Sequence, residues 1–242
     1  MTDHQVAAAL AAGAGQLLLA VREEFADAPA TERKAQGDKR SHDYLMQALA
    51  AERPDDAVLS EEGIDDPVRL RAQRVWIVDP LDGTREFSEP GRDDWAVHVA
   101  LWERGDLVAG AVALPAQGVT LSTPEVPSPP PGPGRPRIVV SRTRPPDIAL
   151  TVRDRMGGTL IEMGSAGAKV AAVVQGRADV YVHAGGQFEW DSAAPVAVAR
   201  AAGLHTSRID GTPLLYNRAD PTLPDLVVCR ARDAAAVLAA IR

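Results

Sequence analysis

The stretch Trp76-Ile77-Val78-Asp79-Pro80-Leu81-Asp82-Gly83-Thr84 constrains the fold of this chain more than any other. Val75 to Val78 is a short, apolar, β-branched run, the pattern of a buried strand. The strand is expected to stop at Asp79, because Pro80 has no N–H for a sheet ladder and turns the chain. Two carboxylates then stand three residues apart. Gly83 follows, where backbone N–H groups can approach an anion closely, and then Thr84, a good N-cap for a short helix from about Arg85. Acids at a strand end beside a helix N-terminus offer a hard-cation site and a phosphate site together. Metal-assisted hydrolysis of a phosphate ester requires that pairing. The plainer reading is that Asp-Pro and Asp-Gly merely punctuate a turn.

At 242 residues the chain can bury a large core in one domain or two lobes. A formal charge of −7 argues against an electrostatic grip on nucleic acid or on an anionic membrane, so an anionic substrate needs local cations or metal. Cys229 is the only cysteine, which excludes a disulfide framework and a cysteine-rich zinc site. The N-terminus is not a cationic leader and no apolar run is read as reaching membrane length, so the expectation is a soluble, cytoplasmic protein.

Apolar residues at helical spacing (Val6, Leu10, Leu17, Val21) predict a long amphipathic helix over Val6 to Phe25, its stripe facing the core. Ala28 to Gly37 reads as a loop, and a second helix runs from Asp38 or Lys39 to Arg53, stopped by Pro54. Val58-Leu59 is a short strand ending in Ser60-Glu61-Glu62-Gly63. Trp95 to Trp102 and Leu107 to Leu114 read as hairpin strands of an antiparallel sheet. The proline-dense residues 124–136 form a semi-rigid linker or an extended loop between a lobe at 1–123 and a lobe at 137–242. In the second lobe, strands at Arg137–Ser141, Thr159–Glu162 and Ala178–Val182 alternate with helices at Pro146–Met156, Ala166–Gln175 and Asp191–Ala202, an α/β pattern.

Two more acids stand out. Glu61 lies just past a strand end, as Asp79 does, and adjacent strands would bring both to one rim of the sheet. Asp191, in Glu189-Trp190-Asp191-Ser192-Ala193-Ala194, opens a helix. Each has a plain alternative: a solvated loop for Glu61-Glu62 and a helix cap for Asp191.

Taken together, Ser60-Glu61-Glu62, Trp76 to Thr84 and Trp190-Asp191-Ser192-Ala193-Ala194, in this order and spacing, resemble the lithium-sensitive, magnesium-dependent phosphomonoesterase superfamily. Its members include inositol monophosphatase, fructose-1,6-bisphosphatase and the 3′(2′),5′-bisphosphate nucleotidases. The resemblance implies the layered α/β/α/β/α sugar-phosphatase fold, with an antiparallel-sheet N-terminal lobe and an α/β C-terminal lobe. It also implies two or three Mg²⁺ ions. Glu61, Asp79 and the Leu81 carbonyl would hold one, and Asp79, Asp82 and Asp191 a second. Gly83 and Thr84 N–H groups would cradle the scissile phosphate. Thr84, polarised by a further acid, would help deprotonate the attacking water. By counting back from Ser60-Glu61 that acid falls at Asp38, preferred to its neighbour Asp43, with Lys34 as the accompanying base.

Ser141-Arg142-Thr143-Arg144 and Gly164-Ser165-Ala166-Gly167-Ala168-Lys169 resemble segments of the sulfur-assimilation nucleotidases, with Arg144 where the family has histidine. The resemblance places Ser141, Arg142, Ser165 and Lys169, with Asp82, Gly83, Thr84 and Asp191, around the substrate, the two cations meeting a second phosphate. The implied reaction is hydrolysis of 3′-phosphoadenosine 5′-phosphate to AMP. Rival readings are activity on inositol monophosphate or fructose-1,6-bisphosphate, and a non-catalytic phosphosugar or nucleotide sensor. Relatives are often dimers, so a homodimer is possible on resemblance alone. The histidines, His42, His98, His183 and His205, show no ligand spacing and read as structural or exposed. Trp190 reads as packing.

Overall fold

The structure is a computed structural model and describes residues 1–132 and 134–242; Pro133, inside the proline-rich stretch, lies outside the described residues. Its first sheet has the order β1-β2-β3-β4-β5, built from β1 (Ala57–Ser60), β2 (Arg74–Asp82), β3 (Ala96–Glu103), β4 (Asp106–Leu114) and β5 (Val119–Ser122). The β2–β5 neighbours are antiparallel, but β1 joins β2 in parallel, with Ser60 opposite Val78. The C-terminal ends of β1 and β2 therefore lie side by side, and Glu61 leaves the sheet next to Asp79.

Alternation along β2 sets the layers. Trp76 and Val78 join the core under α1 (Asp3–Glu24) and α2 (Ala30–Glu52), with Val97, Val99 and Leu101 of β3. Val75 and Ile77 face the other way, into a central core shared with α5 (Ala166–Val174) and α6 (Glu189–Ala201). Beyond these helices lies the second sheet, order β7-β6-β8-β10-β9: β6 (Arg137–Ser141), β7 (Thr159–Met163), β8 (Val180–Ala184), β9 (Leu204–Ser207) and β10 (Asp225–Arg230). Its outer face is closed by α4 (Asp147–Met156) and α7 (Ala234–Ile241). The result is α/β/α/β/α, and both sheets contribute to one central core. Each large apolar side chain fully buried there contributes about 1.5–3 kcal/mol.

The sequence reading does not contain β5, β9, β10 or α7, and it differs at residues 30–37 and at the end of β2. Residues 30–37 are helical, because Ala, Glu, Arg, Lys and Gln are good helix formers and one of these polar residues is structural. Arg33, 7% exposed, donates to the Phe25, Ala26, Ala28 and Ser88 carbonyls and pins the α1–α2 connection. Asp38 thus sits well inside α2 rather than at its start. Likewise β2 continues through Pro80 to Asp82. The register shifts between the pairs Asp79–His98 and Asp82–Ala96, so Pro80 occupies a bulge where no ladder N–H is needed.

The helix α1 also corrects an expectation. It spans 22 residues with mean hydropathy 1.4 over its most apolar stretch, long and apolar enough on those two measures to cross a membrane. Val6, Leu10 and Val21 of the expected stripe are buried in the core against the first sheet, while Leu17 is only partly buried and Ala14 and Leu18 complete the buried face. In the proline-rich stretch, Val126 is buried in the central core and the Pro129 carbonyl accepts from Arg230.

α6 lies on β4 at Gly110, where a Cβ would stand 2.6 Å from Ala197 Cβ. Gly110→Val is expected to destabilise the protein by about 1–3 kcal/mol, lowering Tm by several degrees in a thermal melt.

Candidate active site

The bulge in β2 decides the geometry of the acids. Residues three apart on a regular strand point to opposite faces. One extra residue between Asp79 and Asp82 restores the parity, as their partners His98 and Ala96 show. Both carboxylates come to the same buried place, Asp79 1% and Asp82 7% exposed. Asp79, Asp82 and His98 form a cluster able to hold a metal ion. The Leu81 N–H donates to Asp79 Oδ1 at 3.0 Å, and Ser41 Oγ donates to the Pro80 carbonyl at 2.6 Å, fastening the bulge to α2.

Four acids meet here. Glu61, at the open rim, is in side-chain contact with Asp79, and Asp191 repels both Asp82 and Glu61. Burial, then Glu61, Asp82 and Asp191, raise the Asp79 pKa well above the carboxylate range. Burial also lifts Glu61 to about 7, with Asp82 adding to the rise although contact with Asp79 opposes it. Burial and Asp82 bring Asp191 to about 7. Asp82 is the exception: burial acts upward, but His98, Ser165 Oγ and the Gly167 N–H hold it at about 2. Two buried carboxylates, Asp79 and Asp82, are joined by the half-buried Asp191 and the exposed Glu61 at the rim. In this oxygen-rich set the acids outnumber the one facing cation, His98, and such a set fits a hard divalent cation.

Asp191 lies in the first turn of α6, where its Oδ2 accepts from the Phe188 N–H at 2.7 Å. The N-cap is therefore Phe188, a correction to the reading of Asp191 as the cap: Asp191 is the third helical residue, its carboxylate reaches back to the cap, and it also faces Asp82. Ser165 combines two roles as well: its Oγ accepts from the Ala168 N–H at the start of α5 and donates to Asp82 Oδ2 at 2.5 Å. The Gly167 N–H donates to the same oxygen at 2.6 Å.

Gly83, at φ 86°, is the N-cap of the short helix α3 (Thr84–Ser88), a correction to the expectation that Thr84 caps it. Thr84 is instead the first helical residue, and its Oγ1 lies 3.2 Å from the Leu81 carbonyl and 3.5 Å from Asp38 Oδ1. Burial and Glu62 raise Asp38 to about 6, against the pull of Thr84 and Lys34. Asp43, on the same helix, is exposed and pairs with Lys39 at 2.6 Å.

The cations of the Ser141-Arg142 and Gly164-to-Lys169 segments line a cleft with Gly83 and Thr84, yet both are occupied. Arg142 bridges Glu86 and Glu89 at 2.7 and 2.6 Å. Lys169 Nζ donates to the Gly164 and Ser165 carbonyls at 3.0 and 2.7 Å. Ser141 Oγ accepts from the Arg144 N–H at 3.3 Å.

His98 is the site residue that sequence reasoning missed. Fully buried on β3, it has Nδ1 3.0 Å from the Trp190 carbonyl and Nε2 3.2 Å from Asp82 Oδ2, the latter an ion-pair contact rather than an aligned hydrogen bond. Burial works against its charge, but the Asp82 carboxylate raises its pKa. The only signal was hairpin register, which puts residue 98 opposite residue 79. Trp190 stacks on Phe188 with centroids 4.7 Å apart.

With this arrangement in hand, the class is clear: the chain belongs to the inositol monophosphatase family, whose model matches residues 2–126 and 138–242. It is 55% identical over 238 residues to a 3′-phosphoadenosine 5′-phosphate phosphatase of Mycobacterium bovis, spanning 94% of this chain and 89% of that protein. It is 52% identical over 265 residues to a protein of the same description from Mycobacterium leprae, spanning 100% of this chain and 94% of that protein. The crystal structure of inositol monophosphatase-II from Staphylococcus aureus shares the fold with a TM-score of 0.83 at 20% identity, covering 99% of this chain and 92% of that one.

The raised carboxyls give a pH dependence of definite sign. With folded-state values near 7 for Glu61 and Asp191 against ordinary values of 4.5 and 3.8, their contribution to stability is complete below about pH 4 and is lost as pH rises to about 7. A divalent cation must displace those protons, so its stabilisation grows over the same window. Melts at pH 5 to 8 with EDTA or a divalent cation are expected to show a cation-induced Tm gain that increases with pH and shrinks in Asp191→Asn.

Proposed function

We infer that the chain is a phosphomonoesterase that hydrolyses the 3′-phosphate of 3′-phosphoadenosine 5′-phosphate to give AMP and phosphate. The observation that carries this reading is the convergence of Glu61, Asp79, Asp82 and Asp191 from β1, β2 and α6 beside the Gly83-Thr84 turn. The identities of 55% and 52% to the phosphatases described above support the choice of substrate.

In this reading the cations are two or three Mg²⁺ ions, which Glu61, Asp79, Asp82, Asp191 and the Leu81 carbonyl would hold; when bound they supply positive charge to the phosphoryl oxygens and acidify water. Residues 1–123 supply every ligand except Asp191, and residues 137–242 form the substrate side, with 124–136 linking them. Gly83 and Thr84 N–H groups orient the scissile phosphate at the turn. Thr84 Oγ1 takes a proton from the attacking water as it passes its own to Asp38, whose pKa of about 6 suits a base working near neutrality. The contact is 3.5 Å without substrate, within the looseness expected before a reactive complex forms. Ser165 and the Gly167 N–H hold Asp82 ionised, which keeps it ready as a ligand.

Phosphate release in Mg²⁺, abolished by EDTA, tests the enzyme against a non-catalytic sensor. Comparison of kcat/KM on 3′-phosphoadenosine 5′-phosphate, inositol monophosphate and fructose-1,6-bisphosphate tests the substrate, and the nucleotide is expected to be turned over best. A preference for inositol monophosphate would overturn the choice. Millimolar Li⁺ is expected to inhibit.

Single substitutions test the roles. Asp79→Asn is expected to lower kcat by orders of magnitude with a native circular dichroism spectrum. Asp38→Asn is expected to lower kcat while Mg²⁺ binding by calorimetry persists, and Asp43→Asn to stay within about twofold of wild type, as surface ion pairs contribute little.

A further inference from the structure

A cleft of about 270 Å³ opens from the Gly83-Thr84 turn and is lined by four cations, Arg85, Arg142, Arg144 and Lys169. They are not equivalent. Lys169 is 6% exposed, has its ammonium bonded to two backbone carbonyls and lies over the Tyr181 ring at 5.4 Å. Arg142 is gripped by Glu86 and Glu89, so the Arg142-Glu86-Glu89 group carries a net negative charge. An incoming phosphate that reached Arg142 would meet two carboxylates as well.

Arg85 and Arg144 are exposed and, among the described residues, make no ion pair and no side-chain hydrogen bond. Arg85 follows Thr84 directly in α3, and Arg144 lies past the end of β6, so the two reach the cleft from different sheets' connections. Uncompensated guanidinium groups from two elements suit bidentate capture of a phosphate dianion.

We propose that Arg85 and Arg144 form the subsite for the substrate phosphate that is not hydrolysed, while Arg142, locked by Glu86 and Glu89, is a wall of that cleft. The proposal rests on the bisphosphate reading above. Where the family resemblance assigns the second phosphate to Arg142 and Lys169, the ion pairing in this chain moves the assignment to the two unpaired arginines.

The test is calorimetric titration with AMP, which keeps the second phosphate and is not turned over, with adenosine as the control lacking it. For Arg85→Ala/Arg144→Ala the Kd for AMP is expected to rise roughly 10- to 100-fold, with adenosine binding altered far less. The ratio of kcat/KM for 3′-phosphoadenosine 5′-phosphate to that for 3′-AMP is expected to fall by a similar factor. A thermal melt confirms that the variant is folded; both residues are exposed, so Tm is expected to stay close to wild type. Wild-type AMP affinity in the double variant, or a loss confined to Arg142→Ala, overturns the proposal. Absence of phosphate release from the wild-type protein would instead overturn the hydrolase reading, and the AMP titration would still report on the subsite.

Discussion

Mutual repulsion among buried carboxylates is the constraint around which this molecule is built. Bringing like charges out of water costs several kcal/mol per ion unless a partner compensates. The chain offsets that cost most fully at Asp82, whose Oδ2 receives Ser165 Oγ and the Gly167 N–H and faces His98, whereas Asp79 and Asp191 each receive a backbone N–H. Asp79, Glu61 and Asp191 are left with raised pKa values. The sheet holds Asp79 and Asp82 together against this cost through the parallel β1–β2 pair and the bulge in β2.

That placement has identifiable sources. The parallel β1–β2 pair sets Glu61 beside Asp79, and the bulge at Pro80 turns Asp82 toward the same face. Gly110 lets α6 settle onto β4, carrying Asp191 to the rim. Gly167 is required for a related reason: a Cβ there would lie 2.0 Å from His98 Nε2. His98 in turn contacts the Trp190 carbonyl and so links the strand bearing its own backbone to the start of α6. Polar contacts and small residues together hold one acid from the second half of the chain against three from the first.

Much of this was legible in one dimension. The α/β/α/β/α layering, the core stripe of α1, the strand entering the acidic turn and the segments of the family resemblance could all be read without coordinates. Residues 30–37 are not legible as a helix, because their polar composition masks one held by a buried arginine, Arg33, whose acceptors lie in the connection after α1 and on α3. β2 runs on past Pro80, against the sequence expectation, because the N–H that proline lacks falls in a bulge.

By itself the sequence determined which chemistry is available: carboxylates in a strand–turn–helix context, a glycine able to take φ 86° at position 83, and a helix stripe that must be buried. These follow from local properties, residue type, alternation and backbone freedom, which are written residue by residue. Only the tertiary structure decided which groups are occupied. That His98 faces Asp82 and that Arg142 is bound by Glu86 and Glu89 are facts about residues distant from one another in the chain. Charge compensation depends on distance in space, and no pattern of spacing along a chain records it.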